Sequence, residues 1–164
     1  MKELIESDEL FGGPSESRCI ILNLRHLRQK KYFNAGRLLS WSLLHCGPGL
    51  GFLDSRLWNL MSDPHYQVES DQPTTFNLPD VDACINLMEL EACENDEDFA
   101  SKCRDLTTWG ESCGYPEISE LIQLSQRKEL VSSIVTYFLM DRAHAAITQF
   151  HEGMNSLGGV YSTS

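Results

Sequence analysis

The chain has 164 residues, 41% of them hydrophobic, with three Trp and a formal net charge of −11. It is long enough to bury a core and too apolar for a disordered segment, and its overall acidity works against binding a phosphate backbone. No apolar run approaches the ~20 residues of a membrane helix, and the acid-broken start MKELIESDELFGG lacks the form of a secretory leader. Neither a membrane nor a nucleic-acid partner is therefore expected.

In chain order, residues 1–16 read as a short amphipathic start (Leu4, Ile5, Leu10, Phe11) closed by a Gly12-Gly13-Pro14 turn. The run Cys19 to Leu24 is short and rich in strand formers, so a strand is expected there. The basic stretch Arg25 to Lys31 leads into Tyr32 to Met61, which reads as a helical hairpin and as the core of the fold. Phe33, Ala35, Leu38, Leu39, Trp41, Leu43 and Leu44 leave its first arm no polar face, the pattern of a helix buried on several sides. Gly47-Pro48-Gly49 should stop that arm, and Asp54 or Ser55 should cap the second, which carries Phe52, Leu53, Leu57, Trp58, Leu60 and Met61. Three prolines and many polar residues make 62–79 a loop.

Further along, Asp80 is placed to cap a helix with Val81, Cys84, Ile85, Met88, Ala92 and Cys93 on its apolar side. Asn95 followed by Asp96, Glu97 and Asp98 predicts another helix start, because acids in a first turn meet the positive end of the helix dipole. Phe99, Cys103 and Leu106 mark its inner face, with Gly110 as its end. After a turn at Gly114-Tyr115-Pro116, helices are expected over 121–140 and 143–157, the last aligning Ala146, Ile147, Phe150, Met154 and Leu157 before a short polar tail. The class is mainly α, or α+β with a short N-terminal strand or hairpin, in a single domain spanning 1–164.

Charge is unevenly placed. Ser17 to Arg37 holds six bases and no acid, whereas Asp80 to Asp105 holds nine acids against two bases. Such blocks serve first as solvated faces, but a one-sided basic stretch can also steer a protein partner, so Arg25, Arg28, Lys30 and Lys31 are the candidate partner-binding residues.

Catalytic patterns are missing. No Cys pair has CxxC spacing, His151-Glu152-Gly153 does not continue to a second His, and Gly47 to Gly51 lacks the Lys-Ser/Thr of a phosphate loop. His45-Cys46 are neighbours along a helix and point apart, so they form no dyad. No catalytic residue, metal or cofactor is expected. The six Cys read as reduced, mostly buried thiols, which with the absent leader suggests the cytoplasm or nucleus.

Tyr32-Phe33-x-Ala35-Gly36-Arg37-Leu38-Leu39, then Leu43-Leu44-His45-x-Gly47-Pro48 and Phe52-Leu53, resembles the N-terminal lobe of HECT-type ubiquitin ligases, in a divergent branch of that family. Arg127-Lys128-Glu129-Leu130-Val131 through Tyr137, then Gln149-Phe150-x-x-Gly153-Met154, is similar to the last helices of that lobe. Leu157-Gly158-Gly159 would match the hinge toward the catalytic lobe. The resemblance implies a role in protein ubiquitination, with a ubiquitin-conjugating enzyme or the catalytic lobe as partner. The family's thioester-forming Cys lies beyond that hinge and the chain stops at Ser164, so the implied role is that of a non-catalytic scaffold. Only about Glu94 to Ile118 occupies the place of the family's conjugating-enzyme-docking subdomain. The alternative is a stand-alone helical interaction module.

Overall fold

The structure, a computed structural model, describes residues 9–68 and 77–158. The expectations for Leu4 and Ile5, for the middle of the 62–79 loop, for Gly159 and for the polar tail lie outside them. The described chain is mainly helical with one short antiparallel hairpin, Phe11–Gly12 (β1) against Cys19–Ile20 (β2). It divides into two compact units, one of Met1–Tyr66 with Leu139–Ser164, the other of Gln67–Phe138.

In the first unit, β2 ends at Ile20 rather than Leu24: the Ile21 N–H still bonds the Leu10 carbonyl across the hairpin (3.1 Å), but the Ile21 carbonyl and the Asn23 N–H are claimed elsewhere. The buried Tyr32 hydroxyl donates to the Ile21 carbonyl (2.5 Å) and accepts from the Asn23 N–H (2.9 Å), and burial pushes the Tyr32 pKa up. Asn23 then caps Leu24–Arg28 (α1), its side chain accepting from Arg25 N and His26 N. Lys30, at φ 55, turns the chain into Lys31–Leu44 (α2).

The α2 helix has one buried face, not an all-round one. Tyr32, Ala35, Gly36, Leu39, Ser40 and Ser42 point inward, whereas Leu38, Trp41 and Leu44 are about half exposed. Its main partner is not the second arm of a hairpin but His144–Asn155 (α8), far along the chain. Glycines set the distance between the two. A Cβ on Gly36 would lie 2.0 Å from the Phe150 carbonyl oxygen, and one on Gly153 would lie 2.0 Å from that of Phe33. At this close crossing the Ser40 hydroxyl donates to the Met154 carbonyl (2.7 Å). Gln149 bridges two helix ends, donating to the Leu27 carbonyl (3.0 Å) and accepting from the Phe33 N–H (3.4 Å). Around the crossing, Phe11 meets Phe150 and Phe52 edge-on.

The α2 helix ends in a Schellman motif, with Gly47 N–H on the Ser42 carbonyl (2.7 Å) and Cys46 N–H on that of Leu43 (3.2 Å). The left-handed position in it is held by Cys46, at φ 57, and not by one of the glycines that the sequence offers as the stop. A left-handed residue with a Cβ costs roughly 1–2 kcal/mol. Cys46→Gly should therefore raise stability by about 1 kcal/mol, read as a higher urea midpoint at unchanged slope.

Ser55–Ser62 (α3) begins at the expected cap. The buried Asp54 carboxylate accepts from Arg56 N (2.9 Å), from the Arg56 guanidinium (3.0 and 2.8 Å) and from the Ser17 hydroxyl (2.6 Å). Its backbone joins a short parallel bridge, with Arg18 N–H on the Phe52 carbonyl (2.8 Å) and Asp54 N–H on that of Arg18 (2.9 Å). Burial works to raise the Asp54 pKa, but the bonds from Arg56 and Ser17 outweigh it and hold the carboxyl below its ordinary value.

In the second unit, Asp80 caps Val81–Glu91 (α4) and Asn95 caps Asp96–Asp105 (α5), as their sequences predict. The inner face of α4 is nevertheless Ala83, Leu87 and Leu90, at i, i+4 and i+7, while Val81, Ile85 and Met88 face out. Both stripes of this helix are apolar, so periodicity alone cannot choose between them. Phe99, Cys103 and Leu106 are buried as predicted, but Gly110 does not end that helix. It lies within Thr107–Ser112 (α6), where a Cβ would strike the Ile118 side chain at 2.4 Å. The expected helix over 121–140 starts only at Arg127 and runs Arg127–Leu139 (α7). Ahead of it, Pro116–Glu120 and Leu124–Gln126 are 3₁₀ turns. The Gln126 side chain accepts from Ile122 N (3.2 Å) and Gln123 N (3.0 Å), and Asp96 accepts from Leu124 N (2.8 Å). Side chains that satisfy these N–H groups stand in for a preceding helical turn.

Candidate interaction face

The exposed side of α2 follows from its register. Asn34, Arg37, Leu38 and Trp41 are spaced i, i+3, i+4 and i+7 within the helix, so they share one face, with a polar pair ahead of an apolar pair. Asn34, Arg37, Leu38 and Trp41 join Leu157, just past the end of α8, in lining a groove of ≈ 480 Å³. That volume falls in the ~300–1,000 Å³ range of ligand pockets. The indole of Trp41 is 55% exposed and lies against the His45 ring, with centroids 4.5 Å apart. Sequence reasoning placed Leu38 and Trp41 in the core, because an apolar residue on a helix carries no mark of the side it faces.

With its ring half in solvent, Trp41 supports little of the fold. Trp41→Ala should cost about 1 kcal/mol or less, against about 2–5 kcal/mol for Leu39→Ala on the buried face of the same helix. Paired urea titrations check this, and equal losses would return Trp41 to the core.

The basic residues divide by role. Arg25 and Arg28 are exposed on α1, and Lys30 is exposed at the corner between α1 and α2. Lys31 pairs with Glu9 (3.1 Å), and that hydrogen bond, with the Lys31 charge, lowers the Glu9 pKa. Arg18 reaches the Phe11 carbonyl (3.3 Å). Of the acidic stretch, Glu89 is paired with Lys102, and Glu91 with Arg127 (3.9 Å). Arg127 also donates to the Glu91 and Cys93 carbonyls (3.1 and 2.8 Å). Of the residues matched to a hinge, Leu157 lines the groove and Gly158 takes φ 105 beyond the end of α8.

Cys19, Cys103 and Cys113 are buried, and Cys46 is exposed. Burial, reinforced by the nearby Cys93, pushes the Cys103 thiol up to about 11, so it stays protonated and unreactive at neutral pH. Among the described residues no group of His, Cys, Asp and Glu could hold a metal ion, and no helix is long and apolar enough to cross a membrane.

Over 154 residues, 94% of its length, the chain is 29% identical to the G2/M phase-specific E3 ubiquitin-protein ligases of Homo sapiens and Macaca fascicularis. What the chain resembles is an E3 ubiquitin-protein ligase. The Gallus gallus protein of that name is 23% identical over the same length. The chain spans about a fifth of these relatives. No family model and no solved structure matches it. A match of 154 of the 164 residues is too long to lie within either compact unit alone.

Proposed function

We propose that the chain is a non-catalytic part of the ubiquitin-ligation machinery, a HECT N-lobe-like scaffold spanning 1–164 that holds a protein partner while a cysteine elsewhere carries the thioester. The observation that carries this is the likeness to an E3 ubiquitin-protein ligase across 94% of the chain. The mainly helical fold with one short hairpin agrees with it, as does a buried Cys103 thiol held protonated. The partner in this reading is a ubiquitin-conjugating enzyme or a catalytic lobe following the Leu157-Gly158-Gly159 hinge. Arg25, Arg28, Lys30 and Lys31 steer its approach, in the cytoplasm or nucleus. The exposed groove on α2 favours a second reading, a helical interaction module outside ubiquitin transfer.

The deciding experiment mixes the chain with thioester-charged ubiquitin-conjugating enzymes and follows both binding and transfer. Binding with no dithiothreitol-sensitive ubiquitin adduct on the chain supports the scaffold. An adduct lost on replacing one Cys would make the chain a catalyst. No binding to any conjugating enzyme or to a catalytic lobe would leave only the interaction module.

A further inference from the structure

We infer that the groove on α2 is a docking site for an acidic, amphipathic peptide segment of a protein partner, one that sets a carboxylate on Arg37 and two bulky apolar side chains on Leu38, Trp41 and Leu157. Three observations select this occupant. The floor is apolar and open: Leu38 is 49% and Trp41 55% exposed, on a chain that has an apolar core in which to place them. A half-exposed apolar face of this kind covers a partner's side chains better than it encloses a small molecule, whose pocket normally buries ~70–90% of the ligand surface. Charge then selects among peptides. Arg37 is exposed beside the groove and has no ion-pair partner among the described residues, and α2 contains no acid anywhere between Lys31 and Leu44.

The third observation is polarity along the helix. Asn34 and Arg37 precede Leu38 and Trp41 along the lining of the groove, so its polar part comes before its apolar part. The occupant therefore carries its acids over the first half of α2 and its apolar residues over the second. The Asn34 amide, one helical turn before Arg37, can bond the peptide backbone or a side-chain amide. Of the groups given a part in the proposed ubiquitin transfer the contact shares only Leu157, and peptide binding is read separately from thioester transfer.

The test is selection of a displayed random peptide library on the 164-residue chain, with Arg37→Glu and Trp41→Ser as counter-targets. Enriched peptides should share an acid within about two helical turns of two bulky apolar residues. The best of them, synthesised, should bind the parent about tenfold or more tighter than either variant, and more weakly as salt is raised. Far-UV circular dichroism of the two variants should match the parent, and their urea midpoints should fall no further than that of Trp41→Ala, since both residues are exposed. The inference is overturned by an enriched set without acids, by equal binding to parent and variants, or by no enrichment at all. Sedimentation showing a dimer that Trp41→Ser abolishes would also overturn it, assigning the face to a second copy of the chain.

Discussion

Asp54→Ala should lower stability by about 3 kcal/mol at neutral pH, a large share of the 5–15 kcal/mol that holds an ordinary domain together. Three losses combine. The α3 helix loses its N-cap, worth about 1 kcal/mol. The Ser17 hydroxyl loses its acceptor. The Arg56 guanidinium, with only 24% of its side chain exposed, loses the carboxylate that binds it at two points and raises its pKa against the opposing effect of burial. The sign with pH is fixed by the depressed Asp54 pKa. The carboxylate's contribution is fully present above the ordinary aspartate value of about 3.9, and it is lost as pH falls through the lower folded value. Urea midpoints at pH 7 and pH 3 should therefore converge between parent and Asp54→Ala in acid. Asp54→Asn, which keeps an acceptor for the cap, should fall between them at pH 7. An unchanged gap at pH 3 would mean that the charge contributes nothing and that the loss is one of packing alone.

How much of this could be read beforehand depends on the range of each interaction. Asp54, Asp80 and Asn95 were legible because a cap is a local device: a short polar side chain bonds N–H groups two or three residues ahead, within any sequence window. The inner faces of α5 and α8 were legible because each carries a single apolar stripe, Phe99, Cys103 and Leu106 in one and Ala146, Ile147, Phe150 and Met154 in the other. The α2 and α4 helices misled for the opposite reason. Each is apolar on more than one side, and the buried side is fixed by residues distant in sequence, such as Met154 against Ser40. The strand after Cys19 was overextended because a tyrosine eleven residues away takes the Ile21 carbonyl. Of the candidate face, the bases could be read from composition. The groove could not, since it needs Leu157 beside Trp41. The ligase resemblance rested on short motifs that include Gly36 and Gly153, and the structure gives those two glycines a shared physical task.

That task leads to the second large effect. Gly36→Ala or Gly153→Ala should each destabilise the first unit by about 3 kcal/mol or more, at the top of the usual cost of overpacking. In both cases the new methyl would meet a backbone carbonyl at 2.0 Å, and a carbonyl inside a helix cannot swing aside as the end of a side chain can. The α8 helix must move as a body, and its bonds at the crossing move with it: Ser40 to Met154, and Gln149 to Leu27 and Phe33. Helix propensity pulls the other way, since Ala is favoured over Gly by up to ~1 kcal/mol in a helix interior. A net loss of this size is therefore diagnostic of the crossing rather than of the helix. Gly51→Ala is the control, because its Cβ would meet nothing within 4 Å, and it should leave the urea midpoint in place. If Gly36→Ala and Gly153→Ala behave like Gly51→Ala, the two helices do not cross at these glycines. If both lose stability, the double variant should cost less than the sum of the two, because the shift that admits one methyl also makes room for the other.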